Sequence, residues 1–233
     1  VDAKRFERRY AALDAMDESF EKATGDPKVA GRRAVYAKAV RLMQSPKLDA
    51  FAVWDEPEAV RKAYGDTAFG RGCLVARRLV ERGVRFVEVV LDGWDTHQNN
   101  FDRVKGLAGT LDPAFSALLD DLGARHLAAS TLVACMGEFG RTPRINGRDG
   151  RDHWPQAWTA VLAGAGVRGG VVSGATDEDG AKPVGNATGV PDLIATMATA
   201  VGLDPGYTAA TPAGRPISVS DGGRVLRDVL PVS

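Results

Sequence analysis

Apolar side chains return every three or four positions at Phe6, Tyr10, Leu13 and Met16, and again at Val35, Ala39 and Leu42. That period predicts two helices. Gly25-Asp26-Pro27 separates them, and Ser45-Pro46 stops the second. Glu58–Tyr64 predicts a short helix closed by Gly65. Residues 69–82 predict another, with Leu74, Val75, Leu79 and Val80 inward, Gly83 as C-cap and Arg71, Arg77, Arg78 and Arg82 on display.

From Val84 the texture changes. Arg85–Leu91 is β-branched and aromatic and predicts a strand. Phe101, Val104, Leu107, Leu111, Phe115, Leu118 and Leu122 then share one helical face, with Asp112-Pro113 read as a cap or a kink. Thr131–Met136 predicts a buried strand, Trp158–Ala163 a third and Gly170–Gly174 a short fourth. Residues 190–202 predict a helix, and Ile217-Ser218-Val219 is β-like. Strand, helix, strand, loop, strand is the order of an α/β fold with a mostly parallel sheet. The strands are few for such a sheet, so part of it is expected outside this chain. The expected organisation is a mainly helical segment, 1–83, packing on an α/β core, 84–233, as one structural domain.

Composition narrows the function classes. Lys+Arg and Asp+Glu both number 30 among 233 residues, which argues against bulk electrostatic binding to nucleic acid or an anionic membrane. No apolar run is long enough for a transmembrane helix. The two cysteines, Cys73 and Cys135, sit in apolar contexts and read as buried free thiols.

Candidate chemistry concentrates where predicted strands give way to loops, the usual ligand position of open α/β sheets. Two of the three histidines lie there. In Asp92-Gly93-Trp94-Asp95-Thr96-His97, either Asp92 or Asp95 could join His97 as a metal ligand, or Asp95 caps the next helix. Glu138 follows the second predicted strand as a candidate ligand or general base, and Arg141 as a bidentate oxyanion binder or a plain ion-pair partner. In Gly150-Arg151-Asp152-His153-Trp154-Pro155, His153 is a further candidate ligand oriented by a nearby carboxylate, or part of a polar turn. Arg141, Arg144, Arg148 and Arg151 with Asn146 make this loop attractive to phosphate or sulfate. The glycine-rich 164–170 stretch lacks the P-loop lysine and reads as a turn. His126 reads as a helix-end surface residue.

Taken in order, GWDTH (93–97), GEFGRTP (137–143), GRDHWP (150–155), GATDEDG (174–180) and GRP (214–216) resemble the bacterial family known as domain of unknown function 1501. The resemblance runs from about residue 35 to the end, strengthened by ARRLVERGVRFVEV (76–89). That family is similar to the alkaline phosphatase and sulfatase superfamily. The resemblance implies a three-layer α/β sandwich, export from a bacterial cell and metal-dependent hydrolysis of a phosphate or sulfate ester, on a small molecule or a glycan. It implies a divalent metal, zinc or manganese, on Asp92, Asp95, His97, Glu138 and His153. Glu138 and Arg141 would be catalytic, and Arg141 and Arg151 would hold the oxyanion. Phe139 stands where relatives in the superfamily carry a further His ligand. The superfamily nucleophile follows an early strand, and residues 1–40 supply neither. A non-catalytic metal- or anion-binding or structural protein on the same fold is the alternative.

Overall fold

The computed structural model describes residues 2–230. The chain forms two compact units, one up to Ala52 and one from Val53 onward.

The first unit is a helical hairpin. Asp2 caps α1 (Ala3–Thr24) by accepting the Arg5 N–H at 2.8 Å, and Gly25 ends it in the left-handed region, φ 64°, with its N–H returned to Glu21. Asp26 caps α2 (Pro27–Met43), and Pro27 occupies its first turn, where a missing N–H costs nothing. Ion pairs join the two helices. Arg33 reaches Asp14 at 3.0 Å and Glu21 at 2.9 Å, and Arg32 meets the buried Asp17. Of the apolar residues whose period revealed these helices, Met16, Val35 and Leu42 are exposed.

The second unit holds the main core. Helices α3 (Glu58–Ala63), α4 (Ala68–Glu81) and α5 (Asn100–Ala124) bury Tyr64, Cys73, Leu74, Ala114 and Ala117 together. Burial pushes the Cys73 thiol up to about 11, with a smaller contribution from Cys135. Thr67 caps α4, and Gly83 follows it at φ 71°. Arg77 and Arg78 face inward rather than out. Arg77, only 1% exposed, is compensated on three sides: Glu56 at 2.9 Å, Glu81 at 2.7 Å and Asp121 at 2.8 Å. Arg78 pairs with Glu56, Tyr64 donates its hydroxyl to Asp121 at 3.0 Å, and Arg125 closes the ring of charges on Glu81 and Asp121. α5 runs unbroken through Asp112-Pro113, which is neither its start nor its end.

The Arg85–Leu91 run is extended but belongs to no ladder among the described residues. Its alternation is real. Val87, Val89 and Leu91 are half-buried, with Val89 against the helical core, while Phe86 and Val90 are 81% and 64% exposed. Period-two patterning reports a buried face; a strand also needs a neighbour to exchange hydrogen bonds with.

The strands that do form are short: β1 (Leu132–Cys135), β2 (Gly140–Arg141), β3 (His153–Trp154), β4 (Val161–Gly164), β5 (Ala175–Thr176), β6 (Pro183–Val184), β7 (Thr208–Ala210) and β8 (Pro216–Ser218). They pair β1–β4, β2–β3, β5–β6 and β7–β8, all antiparallel. The fold is thus α/β in the broad sense of mixed helices and strands, and the expected mostly parallel sheet is not formed among the described residues. The physical reason is connectivity: a parallel pair needs a long crossover, usually a helix, and the links between paired strands here carry none. Trp158–Ala160 stays outside β4, and Gly170–Gly174 is loop. α6 (Val190–Ala200) buries Ala195, Thr196 and Ala198. Asp192 in its first turn binds the backbone N–H of Gly189 and of Arg224, tying the last segment to the helix. No helix is long and apolar enough to cross a membrane.

Candidate metal centre

Two loops make the site. One, 92–99, connects the extended run to α5. Thr96, 1% exposed, donates its hydroxyl to Asn100 at 2.6 Å, and Arg103 on the first turn of α5 donates to the carbonyls of Gly93 and Asp95. This leaves Asp95 and His97, on either side of the anchored threonine, on the open side.

The other loop runs between β2 and β3. The strand register sets Arg141 opposite His153. Backbone bonds join this loop to the first: Asn99 N–H to Arg148, Asn100 N–H to Asp149 and Arg151 N–H to Thr96. Asn146 shapes the turn, its Oδ1 accepting from Arg148 and Gly150 and its Nδ2 donating to the His97 carbonyl at 3.1 Å. A Cβ on Gly150 would overlap that same carbonyl, so the loops close this far only with glycine there.

Three donor atoms converge in the resulting gap. Asp95 Oδ1 lies 3.1 Å from His97 Nε2 and 3.0 Å from His153 Nε2, and the two imidazole nitrogens are 3.2 Å apart. Arg141 reaches the same Asp95 oxygen at 2.6 Å. The His153 hydrogen bond, and after it Arg141, pull the Asp95 carboxyl down to about 2, so it is anionic at neutral pH. Phe139 lies against the His153 ring, with centroids 4.6 Å apart.

Behind the trio, Asp152 Oδ1 accepts from His97 Nδ1 at 2.8 Å and from Asn146 Nδ2 at 3.1 Å. His97, and then Asn146, hold the Asp152 carboxyl below the usual carboxylate range. The sequence suggested an unspecified nearby carboxylate behind His153; Asp152, its neighbour in the chain, serves His97. Successive side chains on extended backbone point to opposite sides, so a carboxylate next to a histidine is badly placed for that ring and well placed for one across the gap. The loop fastening by Thr96, Asn146 and Gly150 had no signal beyond their turn-forming residue types.

The other sequence candidates fall outside this triangle. Of the two alternative carboxylates the structure brings in Asp95. Asp92 and Glu138 are exposed and make no hydrogen bond or ion pair among the described residues. Arg141 is engaged by Asp95, and Arg151 Nη1 donates to the Thr142 and Pro143 carbonyls at 2.6 and 2.8 Å. His126 is exposed just beyond α5, at φ 57°.

A family model described as "Protein of unknown function (DUF1501)" matches residues 1–230. The chain belongs to this family. The match reaches further toward the start of the chain than the motifs do, so the α1–α2 hairpin is part of the family pattern. No curated protein and no solved structure matches the chain.

Proposed function

We propose that this DUF1501 protein binds one divalent metal ion through Asp95, His97 and His153, and that the centre serves hydrolysis of a phosphate or sulfate ester on a small molecule or glycan. The observation that carries the reading is the triangle of donor atoms. Ligands about 2.0–2.1 Å from a tetrahedral ion stand roughly 3.3 Å from one another, and the three edges here are 3.1, 3.0 and 3.2 Å. Two imidazoles and a carboxylate suit zinc and also manganese. Three protein ligands leave a position for substrate, as catalytic sites require and closed structural sites do not.

The order Asp-then-His, Glu138, His153 along the chain is what supports kinship with the alkaline phosphatase and sulfatase superfamily; the antiparallel pairing of the described strands lends its three-layer sandwich no support. The metal would supply Lewis-acid polarisation of the ester oxygen there. Asp95 contributes the negative charge that a dication needs, and Arg141 holds that carboxylate in position. Glu138, exposed between β1 and β2, is the assigned general base. No serine, threonine or cysteine among the described residues hydrogen-bonds to the trio; the attack is assigned to water or to a nucleophile from outside these residues.

A second reading has its own observation. The trio, Arg141, Asp152 and Asn146 satisfy one another, and backbone bonds join the same two loops. On that reading the network fastens loops and turns nothing over. Assays with aryl phosphate and aryl sulfate esters, with added zinc or manganese, separate the two. The hydrolase reading expects turnover that needs the metal, is lost in His153→Ala and falls at least tenfold in Glu138→Gln. No turnover of either ester class, with or without added metal, supports the fastening reading.

A further inference from the structure

We propose that Asp152, held by Asn146, is a positioning residue that fixes His97 as the Nδ1–H tautomer, so that one histidine of the pair is set for ligation before any metal arrives and the other is not. The inference rests on the metal reading above and goes beyond it to how the site is prepared.

Hydrogen-bond bookkeeping carries the argument. An ionised carboxylate is acceptor-only, so the 2.8 Å contact between Asp152 Oδ1 and His97 Nδ1 places a proton on Nδ1. In a neutral ring the lone pair then sits on Nε2. That nitrogen faces His153 Nε2 at 3.2 Å and Asp95 Oδ1 at 3.1 Å. Three lone pairs cannot converge at these distances without a proton or a cation inside the triangle. His153 Nε2 must therefore carry a proton in the metal-free protein. It donates toward Asp95 Oδ1 at 3.0 Å, with the His97 lone pair beside it. A metal ion entering the triangle replaces that proton, and His153 moves to its Nδ1–H tautomer while His97 stays as it is. Asp152 does not drift, because Asn146 donates to the same oxygen at 3.1 Å while its other end is pinned by Arg148 and Gly150. A carboxylate behind a ligating histidine ordinarily contributes roughly 10–100-fold in metal affinity.

The test uses the full chain with ¹⁵N-labelled histidine, at about pH 8, above the ordinary imidazole range. With three histidines in all, His97→Gln and His153→Gln assign the rings in long-range ¹H–¹⁵N correlation spectra. The metal-free wild type should show His97 as Nδ1–H and His153 as Nε2–H. Zinc should convert only His153. Asp152→Ala should release the His97 tautomer and weaken zinc roughly 10–100-fold by chelator competition, and Asp152→Asn, which keeps the side-chain volume, should weaken it in the same direction if the alanine variant does not fold. His97 found as Nε2–H in the wild type, or an unchanged zinc affinity in both Asp152 variants, overturns the proposal. Wild type that takes up no zinc yet shows the stated tautomers overturns the metal reading and leaves Asp152 as the group that sets His97.

Discussion

A side chain at position 150 would place its first carbon on the carbonyl of His97, the oxygen that Asn146 also holds. The distance between the two histidine loops therefore depends on one missing methyl group. Gly150→Ala must push the loops apart, at a cost of about 1–3 kcal/mol by analogy with other overpacked sites. The expected outcome is a lower urea midpoint together with weaker zinc binding. A variant with wild-type stability and wild-type zinc affinity would show that the close approach is not needed. Residue types were the most readable part of this site: His97, Arg141 and His153 stood out as candidates, because histidine is scarce and arginine clusters in the second loop, whereas Asp92 and Asp95 stayed alternatives until the geometry brought in Asp95. Pairings were not readable. Asp152 lies next to His153 in the chain and serves His97 across the gap, and only the geometry of the two loops reveals that.

At the level of elements, α4 and α5 are joined through charge as well as through the apolar core. Arg77 is the hub, and removing it takes one counter-ion from each of Glu56, Glu81 and Asp121, leaving Glu56 to Arg78 and Asp121 to Arg125. Arg77→Ala should cost about 3–5 kcal/mol, measured by denaturant unfolding, as breaking a buried pair does. A cost near zero would mean that Arg78 and Arg125 suffice. The cap of α6 makes a pH prediction. Asp192 accepts from the backbone of Arg224 and Gly189, and these bonds lower its pKa in the folded state. A depressed folded value contributes stability that is full above the ordinary carboxylate pKa of about 4 and is lost as pH falls through the folded value. Asp192→Asn should therefore have a lower Tm than wild type at pH 7, with the gap closing below about pH 4. A gap independent of pH would assign the effect to shape rather than charge. Helices were legible in the sequence because their end signals are local: Gly25-Asp26-Pro27 separates α1 from α2 and Gly83 follows α4, as their types predicted. Strands were less so. Arg85–Leu91 has a strand's alternation and no ladder, since pairing depends on a neighbour elsewhere in the chain or beyond it.

For the molecule as a whole, the division at Ala52/Val53 puts the helical hairpin on one side and the entire α3–α4–α5 core and both histidine loops on the other. A chain beginning at Val53 should fold cooperatively and keep the zinc affinity of the full protein. Loss of either would show that the first unit supports the second. The broad mixture of helix and strand was readable from the change of texture at Val84. The parallel sheet inferred from element order did not follow, because order alone does not say whether a link is a hairpin or a crossover.

The central claim is that Asp95, His97 and His153 form one metal site. Elemental analysis after equilibration with zinc, followed by removal of unbound metal, tests it most directly. One tightly held ion per wild-type chain, absent from His97→Ala and from His153→Ala, is the predicted result. Wild type that retains no metal, or variants that retain as much as wild type, would contradict it.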